Sequence, residues 1–336
     1  MRVRSRCLWA GLCTLGMAVA VPGWSAGVPK HAAPDPLPQW AFAVNAPAVV
    51  AAAAPATVDG ELRHVPGSTA AFLPSQTKDY FNPPDWHPER HPVMPAIVAH
   101  GRAPDIIACG YCHLPNGQGR PENSSIAGLP AAYIIQQMSD FRSGKRRSSE
   151  PRHLPTEYMI SRETRATEEE VAIAAQYFAS LMPKAWIRLV ETQSVPVTQV
   201  SGWMHVATAT ARREPIGQRI IEMAEDLERT ELRDDAAGFV AYVPRGSLAR
   251  GRRLVATGGT GGRTASCPLC HGPDLKGLGV VPSIAGRSPS YIVRQLYDLQ
   301  QGVRAGDGAA LMAPVVARMT NAERVAIAAY LASLRP

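Results

Sequence analysis

Two short stretches of the chain hold the side chains best able to do chemistry: Cys109-Gly110-Tyr111-Cys112-His113 and Cys267-Pro268-Leu269-Cys270-His271. A Cys-x-x-Cys pair by itself suits a structural disulfide, a redox dithiol or half of a zinc site. The histidine after each pair points elsewhere. Two thiols one helical turn apart can each form a thioether to a vinyl group of one porphyrin, and the adjacent imidazole then stands below the iron as proximal ligand. The expected cofactor is haem c, two per chain, held covalently through Cys109, Cys112, Cys267 and Cys270, with His113 and His271 on iron. Zinc shared between the two cysteine pairs is the rival, and the two histidines together with an internal repeat speak against it.

The motifs lie 158 residues apart, and the same offset relates Ser125-Ile126-Ala127-Gly128 to Ser283-Ile284-Ala285-Gly286, Tyr133-Ile134 to Tyr291-Ile292, Gln137 to Gln295 and Gly144 to Gly302. Towards the end of each half the offset becomes 153, pairing Thr167 with Thr320, Glu170 with Glu323 and Tyr177 with Tyr330. Such self-similarity is the mark of a duplicated unit. Iron that moves electrons without binding substrate needs a second axial ligand, commonly methionine. Met159 and Met312 differ by 153 and both stand shortly before the last helix of their half, which selects them over core packing, the usual reading of a lone methionine. His153 is the rival in the first half and would give two imidazoles and a lower potential; its bland reading is an exposed loop histidine. His64, His87, His91, His100 and His205 have no partner in the repeat and are expected in loops or at the surface.

The elements that must position these residues are helical. Thr167-x-x-Glu170 and Thr320-x-x-Glu323 are capping boxes that open helices running to about Leu181 and Leu334. A middle helix starts near Pro130 and near Pro289 and stops near Gly144 and Gly302. Ser247 is placed to cap a helix through Leu254. Between the halves, 184–246 is too long and apolar for a simple linker, with short strands expected around 186–190, 203–207 and 238–243. Residues 27–56 are rich in Ala and Pro and read as a flexible leader. Arg2, Arg4 and Arg6 ahead of the apolar run from Leu8 read as a signal peptide over 1–26, hence an exported, periplasmic protein with no membrane span after cleavage. An uncleaved anchor is less favoured, because the run ends early at Pro22 and Gly23.

In order of occurrence, attachment motif, Gly/Pro loop, middle helix, methionine loop and terminal helix resemble the class I cytochromes c, in their exported tandem two-haem form. The likeness covers about 95–183 and 245–336. It implies a mainly α fold of two class I cytochrome c domains related by internal duplication and joined by an irregular, short-strand segment. The expected division is a first domain with its N-terminal extension over 57–183, the joining segment 184–246 and a second domain over 247–336. It also implies that the carbonyl of a proline about eleven residues after the ligand histidine fixes the imidazole; Pro282 holds that place in one half, whereas the other half departs, with Ser124 there and Pro121 three residues earlier.

The function so implied is electron carriage between redox protein partners, among them a periplasmic dehydrogenase or a terminal oxidase or reductase, with no bond made or broken. A dihaem peroxidase-like oxidoreductase is the enzymatic alternative; paired methionines, and the lack of PxLRN or MHDG segments, weigh against it. An electron-transfer subunit of a periplasmic dehydrogenase complex is the other. The formal charge of +7 owes three positives to the leader, so nucleic acid is not an expected partner. Arg142, Lys145, Arg146, Arg147 and Arg152 form a basic stretch, read as a solvated loop in preference to a docking face for an acidic partner.

Overall fold

Local capping chemistry sets the ends of the closing helix in each half. The computed structural model describes residues 35–45, 59–260 and 263–336. Both capping boxes are formed: Thr167 and Glu170 open Glu168–Ser180, and Thr320 and Glu323 open Asn321–Ser333. The middle helices are Ala131–Arg142 and Pro289–Gln300, and the attachment motifs form short helices, Cys109–His113 and Pro268–His271. Ser247 is the first residue of a helix and not its cap; Gly246 precedes it in a left-handed conformation, and the helix runs to Thr257. That helix packs tightly on the second closing helix at Gly251, where a Cβ would run into the Ala326 carbonyl.

The closing helix of each half meets its Ser-Ile-Ala-Gly turn in the same way. The Gly128 N–H donates to the Phe178 carbonyl, and the Gly286 N–H to that of Leu331, both at 2.9 Å. One core gathers Ile97, Val98, Ile106, Val171 and Phe178; the other gathers Val255, Val293, Leu296, Val325 and Ile327.

The segment 184–246 forms strands over the three stretches expected and over further short ones, of which Arg213–Pro215 has no β-branched or aromatic residue. Strand β1 (Ile187–Thr192) pairs in parallel with β7 (Phe239–Pro244), which pairs antiparallel with β6 (Ile221–Ala224). Two smaller antiparallel pairs join β2 (Ser194–Pro196) to β5 (Arg213–Pro215) and β3 (Thr198–Ser201) to β4 (Met204–Ala207). Ala241 and Val243 of β7 are fully buried in the second core, so the sheet is part of the scaffold.

The flexible leader needs correction over 35–45. Trp40 and Phe42 give that stretch a reason to pack: Phe42 is fully buried in the second core, and the Ala41 carbonyl accepts from Arg294 at 2.6 Å. The rest of 27–56, apart from these residues, and the expected signal peptide 1–26 lie outside the described residues. Among the described residues no helix is long and apolar enough to cross a membrane.

Candidate haem-binding sites

In the first half a cavity with about 1380 Å³ of space not filled by protein, part of it open to solvent, brings together Cys109, Cys112, His113 and Met159. His113 Nδ1 lies 2.8 Å from the Ser124 carbonyl, and His271 Nδ1 lies 2.8 Å from the Pro282 carbonyl. A carbonyl only accepts, so Nδ1 carries the proton in both rings and Nε2 keeps its lone pair. Burial holds both imidazoles below their ordinary pKa, against the opposing pull of those carbonyls, which favours the neutral ring that a metal needs. Burial likewise pushes the Cys112 and Cys267 thiols up to about 11, and that of Cys109 further. In the second half Cys267, Ile284 and Met312 pack against one core cluster. The first donor set, an imidazole with a free Nε2 beside two thiols and a thioether round one cavity, fits haem c, and the second half repeats the same residue types, with Cys267 and Met312 against one core.

The halves meet through residues that the repeat had paired. Arg146 and Arg304, 158 positions apart, form an antiparallel bridge. Arg146 donates to Gln137 Oε1, to Gln295 Oε1 and to the Tyr291 hydroxyl, at 2.9, 3.1 and 3.2 Å. Arg304 mirrors it on Gln295, Gln137 and the Tyr133 hydroxyl, at 3.1, 2.9 and 2.8 Å. Burial alone would raise the Tyr291 phenol, but Arg146 and Arg304 overcome it and bring it down to about 8. Tyr291, Gln295 and Arg294 also line the first cavity, so the second half closes one wall of it.

No family model matches the chain. The thiosulfate dehydrogenase electron acceptor of Thiomonas intermedia (strain K12) is 25% identical over 234 residues, 68% of this chain and 80% of that protein. Cytochrome c4 of Pseudomonas aeruginosa is 24% identical over 241 residues, 70% of this chain and 88% of that protein. Cytochrome c-554(548) of Halomonas halodenitrificans is 33% identical over 72 residues, 21% of this chain and 87% of that protein. The chain belongs to the two-haem class I cytochromes c. As such a cytochrome it carries two covalently bound haem c groups.

Several residues of this cytochrome stand differently from their sequence reading. Met159 lies within a helix, Leu154–Ser161, and not in a loop. His153 is not exposed: it is buried at the start of that helix and lines the cavity, with Nδ1 2.9 Å from Thr156 Oγ1, an edge-on contact to Phe42 and an unpartnered Nε2. His87 is wholly buried, and His205 is half-buried on β4 with Nε2 2.8 Å from the Trp40 carbonyl. The basic stretch is mostly exposed, as a solvated loop would be, and Arg146 is its exception, half-buried at the seam; Arg142 reaches the Ala166 carbonyl at 2.7 Å, and Lys145 and Arg152 pair with Asp307 and Glu150.

Sequence reasoning missed Glu163, which lines the first cavity and accepts from the Ile107 N–H at 3.3 Å; burial raises its carboxyl to about 7. The 153 offset places Val316 opposite it, and a charge facing a valine was the signal available. Also missed was a pair of arginine clamps. Arg102 donates to Glu170 at 2.8 Å and to the Arg165 carbonyl; Arg263 donates to Glu323 at 2.8 Å and to the Arg318 carbonyl.

Proposed function

We propose that this cytochrome is a periplasmic one-electron carrier built from two duplicated class I haem domains, 57–183 and 247–336, across the joining segment 184–246. Cys109 and Cys112 would bind one porphyrin and Cys267 and Cys270 the other, with His113 and Met159, and His271 and Met312, as axial ligands. Bound haem supplies a ferric/ferrous couple. The chain's own residues keep the couple clean. The Ser124 and Pro282 carbonyls orient the imidazoles, and the apolar cores against which Cys109 and Cys267 pack would disfavour the added charge of the ferric state. The observation that carries the reading is the repetition of one neutral imidazole and one methionine at matching positions, which leaves neither iron open for substrate.

Exchange with partners is assigned to the second haem. Tyr111 in the first attachment motif is 8% exposed, while Leu269, its counterpart 158 residues on, is 76% exposed. Leu278, Val280 and Leu311 are also exposed. An apolar rim of this kind suits brief docking of a redox protein, and the seam at Arg146 and Arg304 joins that haem to the first. The likeness to a thiosulfate dehydrogenase electron acceptor favours a dehydrogenase as the donor class.

A redox titration followed by visible spectroscopy tests the core reading. Two equivalents of haem, two one-electron steps and the long-wavelength band of methionine-ligated ferric haem at both sites are expected. Rapid carbon monoxide or cyanide binding to half of the haem would instead mark an open iron and a peroxidase-like enzyme.

A further inference from the structure

Outside both haem sites, where the N-terminal extension meets the joining segment, three buried side chains converge with nothing in the electron-transfer role to explain them. His87, Asp234 and Asp235 are 0%, 1% and 4% exposed. One donor atom from each lies within 4.8 Å of the others. His87 Nε2 stands 3.1 Å from Asp234 Oδ1 and 4.0 Å from Asp235 Oδ1.

The hydrogen bonds around the cluster are unevenly shared. Asp234 is well supplied: Oδ1 accepts from the Ala236 N–H at 2.9 Å and Oδ2 accepts from Arg229 Nε at 2.7 Å. Asp235 is not, since neither carboxylate oxygen has a hydrogen-bond partner although the side chain is buried. A buried carboxylate without a donor is strongly disfavoured unless a cation or a proton takes the donor's place. Arg229 supplies one positive charge against two carboxylates, which leaves room for a cation.

We propose that His87, Asp234 and Asp235 bind a zinc ion. One imidazole nitrogen with two carboxylate oxygens matches the mixed nitrogen and oxygen donors that zinc takes in a four-coordinate site with one further position. Calcium asks for six to eight oxygens and magnesium for an octahedron of them, which a histidine with two aspartates does not offer. With Nε2 on the metal, Nδ1 carries the ring proton. That nitrogen has no hydrogen bond at present, and Glu89 Oε1 lies 3.7 Å away, placed to become its outer partner.

The site acts as a clamp. It ties the segment of Trp86, whose Nε1 donates to the Leu232 carbonyl at 2.8 Å, to the segment of Arg233. Arg233 stacks 3.4 Å over the Tyr111 ring and donates to the Tyr111 carbonyl at 2.7 Å, so the clamped segment roofs the first attachment motif.

The test uses the haem-loaded protein. After dialysis against zinc and then metal-free buffer, elemental analysis is expected to give one zinc per two irons. Asp235→Asn should lower retained zinc at least tenfold with the iron content and visible spectrum unchanged. Should that variant not fold, X-ray absorption at the zinc edge of the wild-type protein serves, with a first shell of imidazole nitrogen and oxygen and no sulfur expected. Iron without zinc, full zinc retention by Asp235→Asn, sulfur in the first shell, or titration by calcium or magnesium but not by zinc would each overturn the proposal.

Discussion

The two haem sites share a scaffold and differ in what lines it. The Ser124 carbonyl holds the His113 ring and the Pro282 carbonyl the His271 ring, at the same distance. Glu163 borders the first cavity, whereas the equivalent Val316 is fully buried and apolar. His153 is buried in the first half and has no counterpart, because the second half is shorter there. Tyr111 is covered by Tyr80 and Arg233, while Leu269 faces solvent. The lesson is that backbone hydrogen bonding keeps the haem seat constant while a few side chains make one site enclosed and titratable and the other open and apolar.

The strongest way to break the comparison is to remove each methionine in turn. Met159→Ala and Met312→Ala should each abolish half of the methionine-ligated ferric band. Each should lower its own haem's potential by on the order of 0.2 V, within the roughly 0.8 V that axial ligands command. A first-half band that survives Met159→Ala but is lost in His153→Ala would transfer the ligand role to the buried histidine.

Glu163 sharpens the comparison next. Burial raises its carboxyl to about 7, against the Ile107 N–H and Arg162, which pull it down. Ferric iron carries one more positive charge than ferrous, so ionised Glu163 stabilises the oxidised form. The first haem's potential should therefore fall as pH rises through about 7, by no more than ~59 mV per pH unit. The second haem, facing Val316, should stay flat over the same window. Potentiometry at several pH values checks this, and Glu163→Gln should flatten the first profile.

Leu269 tests the open side. Leu269→Lys should slow electron exchange with a redox protein by about tenfold, roughly 1.4 kcal/mol in barrier, while leaving both potentials in place. Equal slowing by a charge introduced over the first motif, as in Tyr80→Lys, would remove the distinction between a roofed site and an exchanging one.

What the sequence disclosed, and what it hid, follows from the range of the interactions. The attachment motifs, capping boxes and short strands depend on neighbours a few residues away, so their spacing announces them. The seam was half legible: Tyr133, Tyr291, Gln137 and Gln295 stood out as repeats, but their meeting across the halves joins residues about 150 apart. The roof over Tyr111 and the His87 cluster lie in segments with no repeat and no periodicity, and His87 finds Asp234 across 147 positions. The leader misled because Ala and Pro dominate its composition while two aromatics, Trp40 and Phe42, decide its packing.

The arginine clamps are the smallest test and separate scaffold from lining. Arg102 and Arg263 make the same two bonds, yet one stands seven residues before its motif and the other four, which kept the pair out of any single offset. Both guanidinium groups are about half exposed, so water screens them and each bond adds little. Arg102→Ala and Arg263→Ala should each lower the melting temperature by at most about 2 °C, and by similar amounts. The clamps brace the closing helices where Glu170 and Glu323 already cap them, and Arg102 binds Glu170 and the Arg165 carbonyl without touching the Glu163 carboxyl, which bonds the Ile107 N–H instead. Neither change should therefore alter the pH slope of the first haem or the flat profile of the second. A clamp variant that shifted one potential and not the other would mean that the shared scaffold, and not the lining, sets the difference between the haems.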